Sequence, residues 1–340
     1  MPTTIRKAFI SSFGDPSHVK IVDDQIESPA ANHVQVKVIY AGMGGADFLM
    51  REGRYPNQKR APLTPGYTLV GRVHINGPGS SKFKVGDLVC CLTMYDADAE
   101  LCNCPEKYLI PVPQGIDLKE AVSMVVDWAT AYGMVYRTAQ VQKGQRVFIH
   151  GLSGSVGYAL LTLCKLEGAE IYGTASASKH DELRKDGVTP FVYTDKNWIK
   201  SMNDIGGAHA IFDPLGFESW DESWAIIPSS GGHLVGYGGN LATLNGDDDN
   251  RSQLPYIAKL LAKGALPFCP KKTSFFYVNK DQKTHKPELL ALFDMRLEGK
   301  IKVPIKKVWT LDQIPEAHWD RNTTPGIGSM VVKICDDVEA

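Results

Sequence analysis

The segment Arg146-Val-Phe-Ile-His-Gly-Leu-Ser-Gly-Ser-Val-Gly157 decides the fold prediction. Its first residues, Arg146–His150, have the apolar composition of a short buried strand. A glycine-rich turn follows, and an apolar stretch of helical period then runs from Val156 to Leu166. A dinucleotide-binding fingerprint requires a strand, a glycine turn and a helix in this order. The segment therefore predicts the start of a nucleotide-binding α/β domain.

The glycines of this turn have separate physical roles in binding. Gly154 lets the backbone approach a pyrophosphate, and Gly157 lets the helix pack closely on the strand. The helix N-terminus adds unpaired N–H groups and a positive partial charge for the phosphates. A structural turn that binds nothing is the alternative. We favour binding because of the strand–turn–helix context, and the expected cofactor-binding residues are Gly151, Ser153, Gly154, Ser155, Val156 and Gly157.

Strands alternate with helices on the C-terminal side of this segment. Short apolar strands are expected at Glu170–Thr174, Phe191–Tyr193, Ala208–Asp213 and Gly232–Gly236, with helical spacers between them. Such alternation predicts a parallel sheet wound by right-handed crossovers. We therefore expect a doubly wound nucleotide-binding domain over residues 124–268.

The first third of the chain has a different character. Val34–Tyr40, Leu69–Ile75 and Asp87–Leu92 predict strands, and Gly, Pro and Asn clusters separate the short apolar runs. The last segment contains a strand at Ser274–Val278 and further short elements that lack a core of their own. The sequence thus predicts a second, β-rich domain made of residues 1–123 and 269–340.

Composition excludes several classes of partner. The 340 residues carry 37 Lys and Arg against 38 Asp and Glu, for a net charge of −1, without the basic excess typical of nucleic-acid binding. No apolar stretch is long enough to cross a bilayer, and no signal peptide is expected at the N-terminus. Seven scattered cysteines, an odd number, indicate reduced thiols. We expect a cytoplasmic protein that binds neither nucleic acid nor membrane.

The end of the second strand indicates which cofactor is bound. NAD-dependent dehydrogenases place an Asp or Glu there to bind the ribose 2′-hydroxyl. Here the strand ends Thr174-Ala-Ser-Ala-Ser-Lys179, without a carboxylate. Ser176, Lys179 and Tyr193 can instead supply donors and positive charge to a 2′-phosphate, although Lys179 is also explained as the solvated start of a helix. The sequence favours NADPH over NADH.

Together these motifs identify a family. In order and spacing, the chain resembles the medium-chain dehydrogenase/reductase superfamily, and within it the zinc-independent quinone oxidoreductase and enoyl reductase branch. The resemblance implies an α/β protein: a Rossmann doubly wound parallel sheet plus a GroES-like β-rich catalytic domain. It also implies a homodimer formed through edge strands. The segments that carry it are 41–47, 51–56, 63–71, 84–89, 128–132, 151–157 and 232–236.

The zinc ligands of alcohol dehydrogenases in this superfamily are missing. Gly44 occupies the place of their cysteine, and Tyr67-Thr68 stands where they have His-Glu. Neither glycine nor threonine replaces a thiolate or an imidazole at tetrahedral zinc. The cysteines at 90, 91, 102 and 104 do not follow the spacing of a structural zinc lobe, and we interpret them as thiols without a metal. No metal site is predicted.

The resemblance also suggests residues around the reacting groups. Tyr55 matches a cleft tyrosine of enoyl reductases and is the candidate proton donor, with packing beside Pro56 as the alternative. Asp47 is a second catalytic candidate, equally explained by a structural hydrogen bond. Thr130 matches a residue at the nicotinamide end, unless it bonds its own helix backbone. A glycine loop expected at the nicotinamide ribose comprises Gly236, Tyr237, Gly238 and Asn240, although turn chemistry also explains it.

These features favour an NADPH-dependent reductase that transfers hydride to an α,β-unsaturated carbonyl or a quinone without zinc. The small-molecule substrate would be an enone, an enoyl compound or a quinone. One alternative is a specialised enoyl reductase of a biosynthetic pathway. A non-catalytic NADPH-binding relative is the other, since fold does not fix function.

Overall fold

The computed structural model describes residues 2–241, 244, 251–320 and 324–337. The chain divides into two compact units, one made of Met1–Asp127 with Lys280–Ala340 and the other of Trp128–Asn279. The strands are β1 (Thr3–Ile10), β2 (Val19–Ile26), β3 (His33–Met43), β4 (Thr68–Asn76), β5 (Leu88–Leu92), β6 (Leu101–Pro105), β7 (Ile110–Pro111), β8 (Arg146–His150), β9 (Glu170–Ala175), β10 (Thr189–Val192), β11 (Ala210–Asp213), β12 (Gly232–Gly236), β13 (Lys271–Phe275), β14 (Ile305–Thr310) and β15 (Ser329–Lys333).

Both units contain short and longer helices. They are α1 (Gly45–Arg51), α2 (Leu118–Ser123), α3 (Ala129–Tyr132), α4 (Ser155–Leu166), α5 (His180–Lys185), α6 (Asn197–Asp204), α7 (Ser219–Ala225), α8 (Leu254–Gly264), α9 (His285–Leu297) and α10 (Ile314–Trp319). Residues 118–126 and 128–136 have the period of a helix in the sequence, and the structure has π-helical segments at Met124–Trp128 and Gly133–Ala139. Within the described residues, no helix is both long and apolar enough to cross a membrane.

The first unit is built on a mostly antiparallel sheet. Strand β3 is central, because β4 pairs with one of its edges while β15 and β6 pair with the other. Its alternate residues Val34, Val36 and Val38 are completely buried, as the period of a half-buried strand requires. Their side chains belong to the main apolar cluster of this unit. The predicted β-rich domain is therefore confirmed.

The second unit is a six-stranded sheet in the order β10-β9-β8-β11-β12-β13, with every pair parallel. This is the strand order of a doubly wound nucleotide-binding domain, and it confirms the predicted fold class. The order reverses between β8 and β11. Ligands of such sheets bind at this reversal, outside the carboxyl ends of the strands.

The second unit extends beyond the predicted boundary at residue 268. Strand β13 pairs with β12 over five residues, from Gly232 opposite Lys271 to Gly236 opposite Phe275. The sequence prediction placed a strand at Ser274–Val278 and assigned it to the β-rich domain. Residues 271–274, Lys-Lys-Thr-Ser, do not resemble a buried strand, because β13 is the partly exposed last strand of the sheet.

Candidate functional site

The glycine turn lies at the carboxyl end of β8, beside the reversal in strand order. A side chain at Gly157 would place its Cβ 2.0 Å from the Gly151 carbonyl oxygen, so helix α4 packs against the turn as closely as backbone allows. Gly151 itself has a φ of 73°, a left-handed conformation that favours glycine. The cradle that the sequence predicts is therefore formed from backbone atoms.

The first turn of α4 is open to a ligand. Ser153, Gly154, Ser155 and Val156 are all partly exposed, and the first N–H groups of a helix have no partner inside it. Leu152, which departs from the small residue usual in the family, is completely buried. It packs against Gly173 of β9, where a Cβ would lie 3.0 Å from Leu152 Cγ. Its side chain therefore points into the sheet and leaves the phosphate side of the turn free.

A cavity of about 400 Å³ opens at the carboxyl ends of the strands of the second unit. Its walls combine apolar side chains with polar ones, which is the usual composition of a small-molecule site. The lining residues are His150, Tyr193, Thr194, Lys196, Trp198, Leu215, Glu222, Leu241 and Leu244. Of the residues predicted from sequence, Tyr193 lines this cavity.

A buried series of hydrogen bonds includes His150, which lines the cavity. Asp213 accepts bonds from the hydroxyls of Ser219 at 2.8 Å and Ser223 at 2.7 Å. Because Ser223 uses its proton on Asp213, its oxygen accepts from Nε2 of His150 at 3.1 Å. Burial lowers the pKa of His150, so the ring is neutral and Nδ1 accepts from Thr174 at 3.2 Å.

This series of hydrogen bonds reaches the glycine turn, because the N–H of Gly151 donates to Thr174 Oγ1 at 3.3 Å. Sequence reasoning singled out neither His150 nor Asp213 as a site residue. A polar residue at the end of each of two buried strands is the signal that would have indicated both.

Two of the residues predicted to bind a 2′-phosphate are accessible to solvent. Ser176 is exposed and Lys179 partly exposed, in the turn that follows β9. Sequence reasoning did not single out Lys196, which lines the cavity and whose Nζ lies 2.6 Å from Glu222 Oε2. Glu222 therefore already has a cationic partner.

The predicted ribose loop packs against the segment after β11. Tyr237 N–H donates to the Asp213 carbonyl at 3.1 Å, and Asn240 N–H donates to the Pro214 carbonyl at 3.1 Å. Gly238 has a φ of 136°, a backbone conformation that favours glycine. The loop therefore contains a turn, which the sequence gives as an alternative explanation of these glycines. Thr130 is 8% exposed and lies in α3.

A pair of tyrosines is the main polar feature of the first unit. The hydroxyl oxygens of Tyr55 and Tyr67 lie 2.6 Å apart, and the rings meet edge to face. Tyr67 is 6% exposed, whereas Tyr55 is only partly buried. Burial raises the pKa of both phenols. Both are therefore protonated hydrogen-bond donors near neutral pH.

Asp47 lies on α1 with a buried carboxyl group. The N–H of Gly44 donates to Oδ2 at 2.9 Å, and within the described residues Oδ1 has no hydrogen-bond partner. Burial raises the pKa of Asp47 to about 7, and the nearby charge of Asp127 contributes. The bond to Gly44 closes the first turn of α1, which is the structural role that the sequence left open.

The cysteines of the first unit are packing residues. Cys90, Cys91, Cys102 and Cys104 are each at most 2% exposed, and the 102 and 104 sulfurs lie 3.6 Å apart as free thiols. Burial raises the pKa of Cys90, which keeps this thiol protonated. Within the part of the chain that the structure describes, no three His, Cys, Asp or Glu side chains are grouped to hold a metal ion.

Comparison with known proteins finds two family matches along the chain. Residues 30–116 match the alcohol dehydrogenase GroES-like domain, and residues 187–332 match the zinc-binding dehydrogenase family. The resemblance to the medium-chain dehydrogenase/reductase superfamily, inferred from sequence, is thus confirmed.

Two relatives show how similar this chain is to individual proteins. A synaptic vesicle membrane protein VAT-1 homolog of Rattus norvegicus is 28% identical over 344 residues, covering 96% of this chain and 84% of that protein. A quinone oxidoreductase of Rattus norvegicus is 27% identical over 207 residues, or 60% of this chain and 63% of its own length.

Two solved structures share the fold of this chain over nearly its whole length. The JamJ enoyl reductase in its apo form has a TM-score of 0.84 at 21% identity, covering 98% of this chain and 100% of that one. A mycobacterial protein complexed with NADPH has a TM-score of 0.83 at 22% identity, covering 97% and 99%. These two likenesses agree with the predicted fold class.

Proposed function

We propose that the protein is an NADPH-dependent reductase that acts without zinc on the activated double bond of an α,β-unsaturated carbonyl compound or on a quinone. The observation that carries the proposal is the carboxyl edge of the six-stranded sheet. A backbone cradle, an open helix N-terminus and a cavity lie together there, and the end of β9 carries Ser176 and Lys179 in place of a carboxylate. The mycobacterial structure with NADPH supports the choice of nucleotide.

The residues of this edge fit such a nucleotide. Gly151, Gly154 and the N–H groups of Ser155, Val156 and Gly157 would hold the pyrophosphate. Ser176, Lys179 and Tyr193 would bind the 2′-phosphate, and the loop of Gly236, Tyr237, Gly238 and Asn240, with Thr130, would hold the nicotinamide end. When bound, NADPH supplies a hydride, which a conjugated carbonyl or a quinone accepts.

The protein's own chemical contribution is a proton donor. As hydride reaches the β-carbon, negative charge develops on the carbonyl oxygen, and a hydroxyl donor lowers its energy. Tyr55 is the proposed donor, because it is the less buried phenol of the pair and remains protonated at neutral pH. Gly44 and Tyr67 offer no ligand of the kind that zinc prefers, which supports chemistry without a metal.

A homodimer is also proposed. Strand β13 ends the six-stranded sheet, and within the described residues no further strand pairs with its outer edge. Just before it, Leu266 and Phe268 are exposed at 53% and 104%. An unpaired edge beside exposed apolar side chains is suited to association with a second copy.

Nucleotide binding and turnover test the function separately. NADPH and NADH would be titrated into the protein with nucleotide fluorescence as the signal, and NADPH oxidation would then be followed with methyl vinyl ketone and 1,4-naphthoquinone. We expect tighter binding of NADPH and turnover of one acceptor. Preference for NADH would contradict the cofactor assignment, and binding without turnover of a wider acceptor panel would favour a non-catalytic role.

A further inference from the structure

Tyr55 and Tyr67 are both held by backbone hydrogen bonds, but their surroundings differ. The carbonyl of Tyr67 accepts bonds from the N–H groups of Thr93 at 3.0 Å and Met94 at 3.1 Å. The N–H of Tyr55 donates to Gln58 Oε1 at 2.9 Å. Tyr67 is buried, whereas Tyr55 is only partly buried. Of the two residues, Tyr67 is therefore the inner one and Tyr55 the outer one.

The direction of the hydrogen bond follows from this difference. Each hydroxyl has one proton, so at 2.6 Å one phenol donates and the other accepts. A buried donor without an acceptor is costly, whereas an outer hydroxyl can direct its proton to solvent or to a ligand. Tyr67 therefore donates to the oxygen of Tyr55, and the proton of Tyr55 remains available.

We infer that Tyr67 is a positioning residue for Tyr55: it fixes the Tyr55 hydroxyl and stabilises the negative charge on that oxygen when Tyr55 gives up its proton. The inference rests on the proposed function, in which Tyr55 is the donor. Nothing in the family matches assigns this role to position 67, where zinc-dependent relatives are expected to have a metal ligand.

The proposed step balances as follows. A hydride, supplied by NADPH, adds to the β-carbon, and the π pair of the C=C bond forms a new double bond between the α-carbon and the carbonyl carbon. The π pair of the C=O bond moves to the carbonyl oxygen, which takes the proton of Tyr55. The Tyr55 oxygen keeps the electron pair of its O–H bond and accepts the bond from Tyr67, which becomes charge-assisted and about twice as strong. Water returns a proton to Tyr55, and the enol product isomerises to the ketone.

Two other groups near the tyrosine pair have the opposite effect to Tyr67 on the pKa of Tyr55. The charge of Asp47 and the phenol of Tyr95 both raise the pKa of Tyr55, whereas the bond from Tyr67 lowers it. Removing the Tyr67 hydroxyl should therefore make Tyr55 a weaker acid. Phenylalanine is the suitable replacement because it keeps the ring and its packing.

A titration tests this without any substrate. The protein would be labelled throughout with 3-fluorotyrosine, whose phenol is more acidic, and titrated by fluorine NMR, with resonances assigned by their loss in Tyr55→Phe and Tyr67→Phe. We expect the pKa of Tyr55 to rise by about one unit in Tyr67→Phe. The matched control Tyr95→Phe should leave it unchanged or lower it. An unchanged Tyr55 pKa in Tyr67→Phe would overturn the inference.

Kinetics with NADPH and methyl vinyl ketone provide the second test. We expect kcat to fall about 100-fold in Tyr55→Phe and about tenfold in Tyr67→Phe, with KM little changed. The double variant should be no slower than Tyr55→Phe alone, because Tyr67 acts through Tyr55. If the loss of kcat in the double variant equals the product of the losses in the two single variants, the inference is contradicted. If the wild type fails to reduce any acceptor, the proposed function is wrong, while the titration still decides the role of Tyr67.

Discussion

His150 and Asp213 are joined through one hydroxyl group. Nε2 of His150 lies 3.1 Å from Ser223 Oγ, which in turn lies 2.7 Å from Asp213 Oδ2. The two residues end strands β8 and β11, the pair between which the strand order reverses. The link therefore holds the glycine turn and the segment after β11 in fixed positions on either side of the candidate nucleotide site.

Ser223→Ala should weaken both the fold and nucleotide binding. It leaves the buried Nε2–H of His150 without an acceptor and removes one donor from the buried carboxylate of Asp213. An unsatisfied buried group costs about 1–3 kcal/mol. We expect a loss of that size in urea denaturation and a higher Kd for NADPH in a fluorescence titration.

Ser219→Ala is the matched control. Ser219 also donates to Asp213 Oδ2, at 2.8 Å, but it has no hydrogen bond to His150 among the described contacts. It should cost less stability and leave the Kd for NADPH near the wild-type value. Equal effects of the two variants would mean that the link to His150 does not position the turn.

Lys179→Ala should reduce the preference for NADPH over NADH. If Lys179 binds the 2′-phosphate, its loss removes a charge-assisted bond worth about 1.5–3 kcal/mol. The Kd for NADPH should then rise about tenfold or more, while the Kd for NADH stays unchanged. Lys196→Ala is the control, because Lys196 lines the cavity of the same unit but is paired with Glu222. A selective loss of NADPH in Lys196→Ala alone would move the phosphate site to that residue.

Asp47→Asn should change how stability depends on pH. The carboxyl has a pKa of about 7 in the folded protein and an ordinary value of 3.8 when exposed. Between these values the folded state holds a proton that the unfolded state has released, so stability falls as pH rises. Asparagine keeps an acceptor for the Gly44 N–H but does not titrate.

We therefore expect the wild type to lose stability from about pH 4 to pH 7, and the loss to be smaller in Asp47→Asn. Urea denaturation at several pH values would measure it. The remaining slope is expected from Asp98, whose pKa burial also raises. A variant that is destabilised equally at every pH would show that the charge of Asp47 is not the cause.

Local patterns were sufficient to predict the architecture. The strand Arg146–His150 and its glycine turn predicted the nucleotide-binding sheet, because strand–glycine–helix chemistry is contained in a few adjacent residues. The end of β9 likewise suggested the phosphate residues. Strand β13 was misplaced because a partly exposed last strand lacks the apolar run that marks a buried one.

Contacts between distant residues could not be predicted in the same way. Tyr55 and Tyr67 lie twelve positions apart in irregular segments, and nothing in the spacing brings their hydroxyls together. The link from His150 to Asp213 spans two strands whose pairing depends on the whole sheet. Sequence indicated which groups were chemically competent, whereas their hydrogen-bond partners required the fold.

Phe268→Glu tests the proposed homodimer. Phe268 is fully exposed in the single chain, so a charge there should leave the fold of the protomer unchanged, as circular dichroism would check. If the side chain is buried against a second copy, the variant should sediment as a monomer where the wild type sediments as a dimer. Val85→Glu, at a site in the first unit that is 62% exposed, should remain dimeric. A wild type that sediments as a monomer, or a Phe268→Glu variant that stays dimeric, would contradict association through this edge of the sheet.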